Sequence, residues 1–286
     1  MWFLYALGSG FLNAVSTALS KKALREIDVY TVPLAMTALA LPFFLIAITA
    51  GEKWATPAPL FWPALAASGA INVLASILMM KALKTGDLSL TVPYLAFTPL
   101  FLTVTSKLIL NESISAAGFA GIILITIGAC ALQWTEKKGF VDSFRNFAKN
   151  RASQYALTVA LLYSISTNFD KMGIVNSNAF IYPAAIYAFQ ALFFLPIAIA
   201  RKKTTKKAII KNWKYLLPIG PVSAGILLLY SAAISAAMVA YVIALKRTVV
   251  LWSVLIGYYA FNEKNFLPKI AGATAMVFGV FLIAMG

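Results

Sequence analysis

Long apolar runs broken by brief polar links fill this chain almost from end to end. They fall at Trp2–Lys22, Val29–Ala50, Leu60–Leu83, Leu88–Leu110, Ala116–Trp134, Ser153–Ile174, Ala179–Ala200, Trp213–Ser235, Met238–Phe261 and Phe266–Met285, with ends good to about four residues. Each run is close to the roughly 20 residues a helix needs to cross the hydrocarbon core. Backbone groups in lipid have no water to bond, so runs of this length are predicted to be helices. Barrel strands would be about half as long and would alternate in polarity. Most links are as short as Thr85-Gly86-Asp87 and Asn111-Glu112-Ser113, while Glu136 to Ala152 and Arg201 to Lys214 are longer and basic. The predicted fold is an all-α membrane protein of ten transmembrane helices.

The basic link near the chain's middle prompts a search for a repeat. An offset of about 150 residues aligns Tyr5-Ala6-Leu7 with Tyr155-Ala156-Leu157, Leu12 with Leu162, Ser16-Thr17 with Ser166-Thr167, Lys21 with Lys171, Pro33 with Pro183, and Phe43-Phe44-Leu45 with Phe193-Phe194-Leu195. One residue more aligns Asn111-Glu112 with Asn262-Glu263, Ala120-Gly121 with Ala271-Gly272, and Gly128 with Gly279. Apolar composition yields chance Leu and Ala matches, but not collinear Tyr, Lys, Pro, Asn-Glu and Gly matches. The chain therefore divides into residues 1–134, a basic linker 135–152, and residues 153–286. Five spans is an odd number, so the second half enters the membrane from the opposite side. Two inverted five-helix repeats are the usual device of alternating access, with the substrate near the midplane between halves.

Composition agrees. Of 286 residues 61% are hydrophobic and 12% charged, and the mean hydropathy is +0.84; a soluble domain with that apolar surface would aggregate. The net charge of +15 comes from 24 Lys and Arg against 9 acids. These cations sit mostly between apolar runs, which points to topology and anionic lipid rather than to nucleic acid. Cys130 lies inside an apolar run and has no intrachain disulfide partner,. There is no histidine, which removes the commonest proton shuttle and metal ligand; no cofactor and no metal are expected. The run Trp2 to Leu19 is read as a retained first span, because Lys21, Lys22 and Arg25 follow it rather than precede it,.

The ordered motifs resemble the drug/metabolite transporter superfamily in its ten-span EamA-like branch. They are Lys21 and Lys171 late in the first and sixth spans, and Ala82-Leu83-Lys84-Thr85-Gly86 leading into a fourth span with Pro93 and Pro99. They continue with Glu112 and Glu263 closing the fourth and ninth spans, then Gly121 and Gly272. The resemblance covers the whole chain. The family's Gly before that Glu is Asn111 and Asn262 here. The resemblance implies a transporter, but of amino acids, nucleotide sugars, sugar phosphates or drugs alike.

Lys246 and Arg247 are the sharpest candidates. They lie about 8 residues, or roughly 12 Å, into the ninth span, where each costs about 2.5–3.5 kcal/mol to insert. Neighbours on a helix point about 100° apart, and at least one of the two is expected to face a cavity and hold a carboxylate or phosphate of the substrate; snorkelling of one or both to the interface is the alternative. Leu245-Lys246-Arg247-Thr248-Val249-Val250 also resembles the ninth span of plastid sugar-phosphate translocators, and in those an adjacent Lys and Arg coordinate phosphate. Asp170 is the acid placed to carry a coupled proton, although local pairing near Lys171 or an interfacial position is the preferred expectation. Asn13, Thr17, Asn72, Tyr94, Asn168 and Tyr230 are polar groups in apolar helices, serving as cavity lining or as helix glue. Trp252 is placed to floor the site. Glu112 and Glu263 are expected to close turns with interfacial ion pairs, a gate contact between halves being the alternative. Gly121, Gly128, Gly272 and Gly279 give small stripes for close helix contact.

The expected function is transport of a small polar metabolite bearing a carboxylate or phosphate across the cytoplasmic membrane, without enzymatic activity. The expected partners are that small-molecule substrate and membrane lipid, with a homodimer as an allowed assembly. A lipid-linked flippase on the same fold would show a lateral opening, and a non-transporting scaffold would lack a central cavity. A membrane enzyme would need clustered acids or histidine. Loops after the odd-numbered spans hold nearly all Lys and Arg, so charge places both termini outside; the resemblance implies both termini cytoplasmic.

Overall fold

The computed structural model describes residues 1–51, 54–85, 94–131, 151–201, 204–247 and 267–285. Among these, every regular element is a helix. The first half comprises Trp2–Ala23, the pair Thr31–Ala38 and Leu41–Ala50, Phe61–Thr85, Thr98–Leu110 and Ala116–Ala131. The second comprises Arg151–Val175, Ile181–Arg201, Trp213–Ala236, Val239–Lys246 and Leu267–Met285, with a short helix Lys206–Lys211 in the link before the eighth span. Five helical segments are long and apolar enough to cross a bilayer: the first three spans, the seventh and the eighth. The sixth span has 25 residues but carries Ser164, Ser166, Thr167, Asn168 and Asp170, all buried, so its polarity is turned inward. Large apolar side chains such as Leu108, Leu192, Ile199 and Phe281 are exposed, the surface a lipid-facing helix presents.

Two local features follow from single residues. The second span breaks at Leu39-Ala40 between its two helices. Pro42 lacks an N–H, and its ring opposes the carbonyl of Ala38, four residues back, where the first piece stops. Its repeat mate is Leu192, and the seventh span runs unbroken through that point. At the end of the fourth span Asn111 is left-handed, with φ 56°. Glycine takes that conformation without strain, and asparagine is the side chain that tolerates it next best. Asn can therefore stand in this sequence where the family has Gly.

Packing between the halves is reciprocal. The first span packs along the eighth and its mate, the sixth, along the third; the fourth meets the sixth as the ninth meets the first; the second meets the eighth as the seventh meets the third. The fifth and tenth spans face each other directly. There a Cβ on Gly121 would lie 2.6 Å from the carbonyl oxygen of Gly279, and one on Gly279 would lie 2.7 Å from that of Gly121. Such exchange of partners is what a two-fold axis requires. The protein is an all-α membrane protein of two inverted five-helix repeats. Gly121→Ala must push the two helices apart. The expected loss is about 1–3 kcal/mol of stability, read as a lower melting temperature in detergent; unchanged melting would show that the contact yields freely.

On the side where the first span ends, the link before the eighth span is pinned down. Lys211 Nζ lies 2.6 Å from Glu26 Oε1, and Asn212 Nδ2 donates to Glu26 Oε2 at 3.1 Å. The Lys211 ammonium and then the Asn212 amide hold the Glu26 carboxyl below its usual range. Asp28 N–H donates to Thr204 Oγ1 at 3.1 Å.

Candidate functional site

A cavity of about 190 Å³ lies between the halves. Its walls come in repeat pairs: Asn13 with Tyr163, Ser16 with Ser166, Met36 with Ile186, and Thr37 with Tyr187. Residues related by the pseudo-two-fold line one space only if that space lies on the axis. Among the described residues the charges, in contrast, all come from the second half. Asp170, Lys246 and Arg247 line the cavity, while the mates of these positions are Ser20, Leu95 and Ala96. A symmetric frame thus carries an asymmetric site, with two cations and one acid.

Both cations line the cavity, where the sequence led to the expectation of at least one. Lys246 is the last residue of the described helix and Arg247 its C-cap, still in helical conformation with its N–H on Ile243 O at 3.1 Å, so it is the length of the two side chains that brings both to the cavity. The first span makes room: a Cβ on Gly10 would stand 3.0 Å from the Lys246 carbonyl oxygen. Lys246 Nζ sits 4.5 Å from the Tyr230 ring centroid, a cation over an aromatic face. Arg247 is 8% exposed, and its Nη2 donates to Thr98 Oγ1 at 2.8 Å. Its buried Nε has no hydrogen-bond partner among the described residues. A guanidinium wants its planar fork of donors filled, and an oxyanion fills it.

The structure corrects the expectation for Asp170. It is neither interfacial nor paired with Lys171, but 7% exposed at the cavity wall. Ser68 and Tyr182 hydroxyls donate to its Oδ1, the latter at 2.7 Å, and the Tyr230 hydroxyl donates to Oδ2 at 3.1 Å. Asn72 Nδ2 donates in turn to Ser68 Oγ at 2.8 Å.

Of the other residues singled out in the sequence, Asn13, Asn72 and Tyr230 line the cavity. Thr17 does not; its hydroxyl donates back to the Asn13 carbonyl at 2.8 Å. Asn168 is fully buried outside the cavity and joins helices, donating to Ser164 O at 2.7 Å and Thr105 Oγ1 at 3.2 Å. Tyr94 is half-buried at the start of the described fourth span and is not among the lining residues. Trp252 and Glu263 lie outside the described residues. The reading missed Gln190, Tyr187 and Ser76 in the wall. Gln190 carried a signal, as an amide within the apolar run Tyr182 to Pro196, one turn from Tyr187.

Glu112 is also more than a turn residue. Lys171 Nζ lies 2.5 Å from its Oε1 and donates to Ala237 O at 2.8 Å. Glu112 Oε2 accepts the Val239 N–H at 3.0 Å. One carboxylate therefore ties the end of the fourth span to the end of the sixth and the start of the ninth. It also places negative charge at the ninth helix's N-terminus, where the dipole favours it.

The described architecture is that of a ten-span, inverted-repeat membrane transporter of the drug/metabolite type. The chain belongs to the EamA-like transporter family, which matches residues 1–133 and 150–285. That is a family of transporters, not of enzymes. No curated protein matches the chain. Among solved structures, 28 chains match. One is described only as "Crystal structure of protein"; it superposes with a TM-score of 0.80 at 13% identity, over 99% of this chain and 98% of that one. At that identity the likeness concerns the fold alone.

Proposed function

We propose that the protein carries a small metabolite bearing a carboxylate or phosphate across the cytoplasmic membrane by alternating access. The observation that carries this reading is Arg247, buried on the wall of an on-axis cavity with Nε unpartnered and Lys246 beside it. A cation so deep in a membrane protein is costly unless paired or hydrated, and no ion pair engages either residue among those described. An anionic solute supplies the missing partner. The cavity's 190 Å³, as bounded by the described residues, falls short of the ~300 Å³ at which drug-sized sites begin. This favours a small solute over a nucleotide sugar or a lipid-linked headgroup.

The two-fold symmetry supports alternating access. Exchanging the conformations of two like halves opens the axial site to the other side, and the Glu112–Lys171 contact joins elements of both halves where the fourth span ends. Counterflow in proteoliposomes tests the function: preloading with carboxylates or sugar phosphates should drive uptake of the labelled solute. Preloading that never accelerates uptake of any of them would dismiss it.

The charge pattern favours a cytoplasmic location for the Arg201–Lys214 link. A cysteine in place of Lys207, in a variant lacking Cys130, should then resist an impermeant thiol reagent in intact cells. Ready labelling would reverse the orientation.

A further inference from the structure

We propose that Asp170 forms a second subsite of the same cavity, one that takes the ammonium group of a solute whose anionic group sits on Arg247 and Lys246. The carried solute is then a small zwitterion of amino-acid type. This inference rests on the anion-binding reading above and narrows it.

The acid is built to receive a donor. An ionised carboxylate offers about four acceptor positions. Ser68 and Tyr182 fill two on Oδ1, and Tyr230 fills one on Oδ2. The oxygen of Ser68 already accepts from Asn72, so its own proton is free to point at Asp170. Every described neighbour donates, as an acceptor-only carboxylate requires, and among the described residues one position on Oδ2 is unfilled, on a side chain that lines the cavity.

The acid is also kept from the cations around it. Lys171, next in sequence, turns to Glu112. Lys246 lies over the face of the Tyr230 ring, while the hydroxyl of that same ring bonds Asp170. Tyr230 thus stands as a spacer between acid and base. Were Asp170 present only to neutralise the cations, direct pairing would best offset the cost of burying both charges. Held apart across one phenol, the two ends of the site match a solute that carries both signs a few bonds apart.

The test uses matched pairs that differ in one group: glutamate with 2-hydroxyglutarate, serine with glycerate, and alanine with lactate. Binding to the purified full-length protein is read from melting temperature against concentration. At least one amino acid should bind the wild type about ten-fold or more tightly than its hydroxy partner, the size of one charge-assisted contact. In Asp170→Asn that ratio should fall towards one, through loss of amino-acid binding alone. In Arg247→Ala both members of the pair should weaken. If hydroxy acids bind the wild type as tightly as amino acids while Arg247→Ala still weakens them, the zwitterion inference is overturned and the anion reading survives. If no member of any pair binds, the zwitterion inference is overturned, and if sugar phosphates also fail to bind, the anion reading goes with it. Asp170→Asn that keeps the ratio but loses uptake driven by a pH gradient would make Asp170 a proton carrier, which also overturns the proposal. The wild-type ratio needs no variant, so poor folding of Asp170→Asn leaves the test intact.

Discussion

Arg247→Ala is expected to lower substrate affinity about ten- to hundred-fold, through loss of a charge-assisted contact worth roughly 1.5–3 kcal/mol. Folding should suffer little. Among the described residues its guanidinium donates to Thr98 Oγ1 alone, and that hydroxyl keeps its own bond to Leu95 O at 2.8 Å. The variant removes a buried charge rather than stranding one. Lys246→Ala should cost less, because its ammonium already rests on the Tyr230 ring, whereas the Arg247 guanidinium has a donor to give. The double variant should fall short of the sum of the two, since both groups meet one anion. Transport in proteoliposomes, with melting temperature as the folding control, reads all three. Normal transport by both single variants would remove these cations from the site.

Glu112 is expected to produce the next largest effect, and in a graded form. Glu112→Gln keeps an oxygen for the Val239 N–H but loses the charge facing Lys171; Glu112→Ala loses both. A charged hydrogen bond is worth about 1.5–3 kcal/mol, so breaking it shifts a two-state equilibrium by roughly ten- to hundred-fold towards the state in which this side is open. The order expected for labelling of a cysteine at Ser166, in the cavity wall, is Ala over Gln over wild type from that side. Transport should fall in the same order, and Lys171→Ala should resemble Glu112→Gln. Exchanging the two residues should rescue only in part, because a lysine at 112 cannot accept the Val239 N–H. Labelling equal in all variants would reduce the contact to a structural tie.

The fold was legible because bilayer thickness writes span lengths into the chain and duplication writes the symmetry. The close approach of Gly121 to Gly279 could be anticipated from small residues repeating at seven, since only glycine lets backbones meet. The break at Pro42 was also open to reading, as its repeat mate Leu192 leaves the seventh span whole. The site was legible only where a residue was too costly for lipid, as with Lys246, Arg247, Asn13 and Asn72. It was not legible where the cost could be met in two ways. Asp170 and Lys171 are adjacent, which favours a local pair, but the turn of the helix sends one to the cavity and the other to Glu112. Thr17 and Thr167 are repeat mates with the same back-bond to the residue four before, yet only Thr167 meets the cavity. Asn168 donates its amide nitrogen to Thr105 on the fourth span, a partnership between residues 63 apart in sequence that local pattern does not encode.

The most direct test of anion recognition on the axis is a side-by-side titration of wild type and Arg247→Ala with small carboxylates and sugar phosphates, read as melting temperature. The account predicts saturable stabilisation of the wild type by at least one of these anions, moved to about ten-fold or higher concentration in the variant, with the two proteins melting alike when no ligand is present. No stabilisation of the wild type by any of them, or the same stabilisation of both proteins, would contradict it.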